Sequence, residues 1–457
     1  MTEATFGHLS AETLALFTDR YELSMMQGYV DRGHTPEATF SLFFRTLPRN
    51  RGYLVAAGLE QVLAAVAELS FGDRALSYLA DAGFDDAFLD YLDGFEFTGE
   101  IRAMPEGTVV FPNEPLVEVT APLAEAQLLE TLFLNQVGFQ SLVATKAARM
   151  RDVVEREGEG EGDGGTLVDF GSRRAHGVDA GLKAARGSYV GGFDGTSNVA
   201  AGEAFGVPTY GTMAHSWVQS FPTERDAFET FVEAYGDDSV LLIDTYDTVE
   251  GAKLAKEVAA EADVDLRGVR LDSGDLAALS TEVAEILPDV DLFISSGMDE
   301  YAIREFLASG GVGSGFGPGT ALATSEDAPA LDVVYKLVAV EREGEMRPSM
   351  KLSSGKVTYP GAKRVGRVER DGQFVRDVVG RRDEAVAGED LLATVVDDGE
   401  VVYDLPTLDE VRETTRRNVR ALPESVRAIE DPATYDVEIS EGLATETERL
   451  RRELERS

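Results

Sequence analysis

The chain of 457 residues has no cysteine, one tryptophan and four histidines, and its 42 Lys and Arg are outnumbered by 83 Asp and Glu. Without cysteine there can be no disulfide and no thiolate-held metal, zinc included. The net charge of −41 repels nucleic acid and anionic lipid, so neither is expected as a partner. No run approaches the roughly 18 consecutive apolar residues of a membrane span. The opening MTEATFGHLSAETLALFTDR lacks the basic start and unbroken apolar region of a secretory signal. A soluble, cytoplasmic protein is expected. The acidic residues are spread along the whole chain rather than gathered into one docking surface, which reads as a surface built to hold water at high salt. Salt shortens self-repulsion as the Debye length falls to about 3 Å at 1 M. The melting temperature should therefore rise between low and molar KCl, and a flat or falling value would rule out halophilic adaptation.

What the chain does contain, from 166 to 320, is a recurring unit: a short apolar run closing on small or polar residues, then a helical segment. The runs are 166–170 closing on Gly171-Ser172-Arg173-Arg174, 189–193 closing on Asp194-Gly195-Thr196-Ser197-Asn198, and 209–214 closing on His215-Ser216. Then come 240–243 closing on Asp244-Thr245-Tyr246-Asp247, 268–271 closing on Asp272-Ser273-Gly274-Asp275, 291–294 closing on Ser295-Ser296-Gly297, and 313–316 closing on Gly317-Pro318-Gly319-Thr320. Strands followed by crossovers predict a parallel sheet, and their number suggests a barrel. Such barrels collect their chemistry at the carboxyl ends of the strands. Arg173, Ser197, His215, Asp244, Arg270, Asp272 and Ser296 all fall there.

The flanks read differently. Thr18 can cap a helix beginning at Asp19, residues 38–47 form a strand, and Arg45, Arg49 and Arg51 cluster in and after it. Residues 58–92 look helical, and 95–119 read as short strands broken by prolines. Pro122 opens a long helical stretch that splits near Gly138, with Lys146 and Arg149 as helix-surface charges. Residues 155–165 form an acidic, glycine-rich loop without calcium-ligand spacing. Beyond 320, residues 331–341 and 349–352 alternate like antiparallel strands, Arg370-Asp371-Gly372 and Asp397-Asp398-Gly399 signal hairpins, and the chain is helical from 408. Three regions are expected: 1–122 as an N-terminal α/β domain, 123–330 as the barrel, and 331–457 as a β-rich and helical region packing back on the first.

Several segments together resemble the nicotinate phosphoribosyltransferase family: FTDRYELSMMQGY, PEGTVVFPNEPLVEV, DFGSRRAHG, GGFDGTSNVAAGEAFGVPTYGTMAHSWVQSF, LLIDTYDTVEGA, VRLDSGDL, ISSGMDE, FGPGTAL and KLSSGKVTYPG. They occur in the family's order between positions 17 and 361. The resemblance implies an α/β fold with an irregular, incomplete (β/α) barrel, an N-terminal α/β sandwich domain, a small C-terminal extension, and a homodimer with shared active sites. The implied reaction joins nicotinate to 5-phosphoribosyl-1-pyrophosphate, giving nicotinate mononucleotide and pyrophosphate, with ATP as co-substrate and Mg²⁺ arriving with the pyrophosphate and ATP. The cysteine-ligated zinc of some archaeal relatives is absent.

By the same resemblance Phe170 stacks on the pyridine ring, with Tyr21 of a partner chain on its other face, and Arg173 takes a carboxylate or phosphate. Ser197 stands where nicotinamide-using relatives carry Asp, which would repel a carboxylate. His215 matches the phosphorylated histidine, and imidazole is a competent nucleophile near neutral pH. Either Asp244 or Asp247 could orient it. Arg270 suits pyrophosphate, and Asp272 suits ribose hydroxyls or Mg²⁺ and would stabilise oxocarbenium-like charge. Ser296, Gly297, Gly317, Gly319 and Thr320 are expected to leave N–H groups open at the next helix starts for the 5-phosphate. Arg45, with Arg49 and Arg51, would bring positive potential to the pyrophosphate. His176 could also face the site, and His8 and His34 read as surface residues. The competing readings are a nicotinamide phosphoribosyltransferase, opposed by Ser197, a quinolinate phosphoribosyltransferase, opposed by GTMAHSW, and a non-catalytic nucleotide-binding barrel.

Overall fold

The structure is a computed structural model and describes residues 11–158, 164–352 and 357–456. His8 and parts of the acidic loop and of KLSSGKVTYPG lie outside these. The chain divides into two units, Met1–Thr145 with Ala328–Ser457, and Lys146–Asp327.

The second unit holds six parallel strands. Their spatial order is Gly195–Thr196, Thr166–Asp169, Gly315–Gly317, Asp291–Ser295, Gly268–Leu271, Val240–Leu242. Helices follow the strands, as a parallel sheet requires. Among the described residues no ladder joins the two outer strands. Two expected strands are not there. Residues 189–193 close the helix Val178–Val190, in which every residue from Gly181 on is buried, so its apolar run carries no helical period to read. Of 209–214 only Thr209 bridges, to Thr196.

The first unit is built on a seven-stranded antiparallel sheet. Its strand Glu37–Phe44 is buried at every position after Glu37, flanked by Val117–Pro122 and by Val333–Arg342. Residues from both ends of the chain thus share one core, with Phe40 stacked on Tyr335 at 4.8 Å. Asp371-Gly372 and Asp398-Gly399 turn two hairpins with paired positive φ, as their sequence predicts. The second strand expected after 320 falls at Glu345–Pro348 rather than 349–352. The stretch 58–92 is three helices, Leu59–Glu68, Asp73–Asp81 and Asp86–Asp93. Thr18 does not cap: Asp19 is the N-cap residue, and the Thr18 hydroxyl donates to Glu22.

The long helix does not split at Gly138. It runs unbroken over Glu130–Glu157, after a separate short helix Leu123–Leu128. A Cβ at 138 would lie 3.2 Å from Val333 Cγ1, so the glycine permits close packing, which outweighs its helix cost of about 1 kcal/mol. Lys146 and Arg149 are not surface charges either; both are 1% exposed.

Glu114 is fully buried beside Asp377, with Arg367 binding Asp377 through Nε at 2.9 Å. Burial raises the Glu114 pKa well above its ordinary value, the Asp377 charge adds to this, and Arg367 opposes it. The folded carboxyl therefore stays neutral where the unfolded one ionises, and its contribution to stability is lost as pH rises above the unfolded pKa. Glu114→Gln keeps a donor for Asp377 without that penalty. The variant should melt a few degrees higher than wild type at about pH 8 and equally at about pH 4, read by thermal unfolding at both.

Candidate active site

All the strand-end residues lie in the unit Lys146–Asp327. The first strand ends in Asp169, fully buried and without a charged partner. Its Oδ1 accepts from the Gly171 amide at 2.7 Å, its Oδ2 from the Thr196 hydroxyl at 2.8 Å, and its carbonyl from the Ser197 amide at 2.8 Å. Burial raises its pKa, and the bonds from Gly171 and Thr196 counter the shift. This stitches together the two strand ends from which Phe170 and Ser197 emerge. The Phe170 ring rests against Gly317, where a Cβ would come within 2.4 Å of a ring carbon. Glycine is required there by contact rather than by φ.

Arg270, near the end of the strand Gly268–Leu271, sits with its guanidinium carbon 6.0 Å from the Phe170 ring centroid. One terminal nitrogen donates to the Met213 carbonyl at 3.2 Å, while the buried Nε has no protein acceptor. Burial lowers its pKa, Asp272 and Asp244 push it back up, and the exposed Arg173, on the one-turn 3-10 helix Ser172–Arg174, lowers it further. A cation with donor capacity to spare thus stands beside an aromatic ring, with a second cation near enough to act on it, a setting for an anionic, ring-bearing ligand.

The carboxylates form a second group. Asp244 is 9% exposed, and its Oδ2 accepts from the Asp272 amide and the Ser273 hydroxyl, each at 2.8 Å. Its buried Oδ1 has no hydrogen-bond donor. Asp272 turns Oδ1 to the Ser295 hydroxyl at 2.6 Å and Oδ2 toward His215 Nε2 at 3.7 Å. His215 begins the helix His215–Gln219, and its Nδ1 lies 3.1 Å from the Thr245 hydroxyl. The imidazole is therefore oriented by Thr245 and Asp272, and by neither Asp244 nor Asp247. Asp247 instead caps the helix Thr248–Ala262 by accepting from the Glu250 amide. Thr245, Ser295, Asp169 and Thr196 were missed by sequence reasoning; small hydroxyls and a buried carboxylate inside strand ends carry no motif of their own.

Ser296 and Gly297 follow the strand Asp291–Ser295 with φ of 77° and 65°. A left-handed serine beside a site is strained backbone held in place by its surroundings. The next helix, Glu300–Ala308, does not offer open amides: Asp299 caps it, accepting from Tyr301 and Ala302 at 3.0 and 2.8 Å. The Thr320–Ala323 helix has only four residues.

His176 and His34 are exposed, and His176 makes none of the hydrogen bonds described. Tyr21 and Arg45 belong to the other unit. Tyr21 is 48% exposed on the helix Arg20–Arg32, and partial burial with the nearby Glu130 and Glu22 raises its pKa, so the phenol stays protonated. Arg45 stacks over Phe43 and reaches Thr358 at 3.4 Å. Arg51 is buried, which removes it from the expected basic cluster. A cavity of about 810 Å³ in that unit, lined by Arg367, Phe374, Glu413 and Arg417 among others, contains none of the strand-end residues. Among the described residues no cluster of three or more His, Asp or Glu could hold a metal ion. A hard cation could borrow Asp272 and the unsatisfied Asp244 oxygen while bringing its other ligands with a phosphate.

Residues 16–138 match the nicotinate phosphoribosyltransferase N-terminal domain, 166–375 the nicotinate phosphoribosyltransferase family, and 370–446 its C-terminal domain. A nicotinate phosphoribosyltransferase of Mycobacterium tuberculosis is 45% identical over 449 residues, covering 96% of this chain and 94% of that protein. One from Bacillus subtilis is 39% identical over 469 residues, covering 94% of each. The crystal structure of human nicotinic acid phosphoribosyltransferase superposes with a TM-score of 0.83 at 30% identity, covering 95% of this chain and 99% of that one. The same descriptions recur from end to end of the sequence and in the fold, and the chain belongs to the nicotinate phosphoribosyltransferase family.

Proposed function

We propose that the protein joins nicotinate to 5-phosphoribosyl-1-pyrophosphate, releasing pyrophosphate and forming nicotinate mononucleotide for NAD synthesis, with ATP hydrolysis coupled through a phosphohistidine at His215. The carrying observation is the Arg270 guanidinium beside the Phe170 ring, at the same strand end as the Asp272 that faces His215. The ring would stack on the pyridine, and an arginine would take its carboxylate in the plane. The pyridine nitrogen attacks the ribose C1′ as the bond to pyrophosphate breaks, and positive charge gathers on the ribose. Asp272, its amide pinned by Asp244, supplies the facing carboxylate. Mg²⁺ would neutralise the pyrophosphate, with Asp272 as its protein ligand.

In the coupling step, Thr245 accepting from His215 Nδ1 would leave the lone pair on Nε2 to attack the γ-phosphorus of ATP, with ADP leaving. Ser197, exposed and uncharged, fits the acid rather than the amide. The site would be completed by Tyr21 of a second copy, whose ring is half exposed. The test is pyrophosphate release from phosphoribosyl pyrophosphate with nicotinate, nicotinamide or quinolinate offered singly. Release with nicotinate is expected, and release only with nicotinamide would overturn the reading in favour of its runner-up.

A further inference from the structure

Three charged side chains are buried together beside the strained loop. Lys146 and Arg149, three residues apart and so on one helix face, are each 1% exposed, and Glu300 is fully buried. Lys146 Nζ lies 2.6 Å from Glu300 Oε2 and 2.9 Å from Asp327 Oδ1. Arg149 Nε donates to Glu300 Oε1 at 2.9 Å, and a terminal nitrogen donates to the Tyr301 hydroxyl at 3.2 Å. Apolar residues of the same volume would commonly stabilise a fold as well as or better than such a buried group, so its retention calls for a role in specifying one conformation.

The position of Glu300 supplies that role. It opens the helix Glu300–Ala308, and the turn Ser296-Gly297-Met298-Asp299 lies between it and the strand end at Ser295. At the strand end, the Ser295 hydroxyl holds Asp272. At the other end, Lys146 and Arg149 hold Glu300. Between the two anchors Ser296 sits at φ 77°, a conformation costing on the order of 1–3 kcal/mol that persists only where the surroundings impose it. We propose that Glu300, clamped by Lys146 and Arg149, is a positioning residue that holds the Ser296–Gly297 turn in the shape that receives a phosphate of the phosphoribosyl substrate. This rests on the function proposed above.

The test is calorimetric titration with Mg²⁺ and 5-phosphoribosyl-1-pyrophosphate, together with steady-state kinetics. Glu300→Asp keeps the buried charge but draws the carboxylate back by one methylene. It should weaken phosphoribosyl pyrophosphate binding about tenfold, a loss of about 1.4 kcal/mol, while the KM for nicotinate stays at its wild-type value. A second variant replaces the whole group, Lys146→Met with Arg149→Met and Glu300→Leu. Asp327 is one-third exposed on its side chain and can turn to water, so this variant should fold at least as stably as wild type and show the same selective loss. Wild-type binding in either folded variant would overturn the proposal, as would a parallel loss of nicotinate affinity and melting temperature, which marks a merely structural group. Failure of the wild-type protein to bind phosphoribosyl pyrophosphate would instead overturn the proposed function itself.

Discussion

His215→Ala should abolish stimulation by ATP and leave slow transfer of the phosphoribosyl group. The imidazole touches only Thr245 and Asp272 among the site residues, whereas the groups assigned to the substrates are held by other contacts. Arg270 is placed by the Met213 carbonyl, Asp272 by Asp244 and Ser295, and Phe170 by packing against Gly317. Removing the ring therefore deletes the nucleophile and leaves those groups in place. Turnover of nicotinate should fall to the unstimulated rate, and labelled γ-phosphate should no longer become attached to the protein. ATP-stimulated turnover in the variant would place the coupling elsewhere. Thr245→Val should weaken the same step in part, since it frees the ring without removing it.

Mixing Tyr21→Ala chains with His215→Ala chains, each expected to lack ATP-coupled activity, should restore that activity once subunits exchange. Tyr21 lies on a different unit from the strand-end constellation and is 48% exposed. If each site takes Tyr21 from one chain and His215 from the other, half of the exchanged dimers are mixed, and one of their two sites carries neither change. Recovery toward about a quarter of wild-type ATP-coupled activity is then expected. The measurement is activity after exchange has been verified with a labelled subunit. No recovery despite exchange would place both residues in one chain's site.

Much of this site was readable because its chemistry follows the strand ends. Arg173, Asp244, Arg270, Asp272 and Ser296 each come just after a short apolar run, or at its end, and a parallel strand with a crossover delivers such residues to one face; Ser197 follows only the two-residue strand Gly195–Thr196, and His215 only the bridge at Thr209. The hairpins at Asp371-Gly372 and Asp398-Gly399 were readable for a similar reason: their turn needs positive φ at both central residues, and few side chains allow it. The run 189–193 misled because an apolar stretch buried on all sides looks alike as strand or helix.

Partnerships were decided by tertiary structure. From sequence, Lys146 and Arg149 are indistinguishable from any solvated helix charges, and only the return of the chain at Glu300, 151 residues after Arg149, makes them a buried clamp. Asp244 and Asp247 stand three residues apart in IDTYD and either could face His215. The folded chain assigns one to brace Asp272 and the other to cap a helix, and gives the histidine to Thr245 and Asp272. Residue types and their places after strands are local properties, set by chain chirality and strand period, and so the sequence determined the α/β fold and which residues stand at the strand ends of the candidate site. Hydrogen bonds and ion pairs reach only about 3–4 Å, so which constituents meet depended on packing among distant segments, which only the tertiary structure decided.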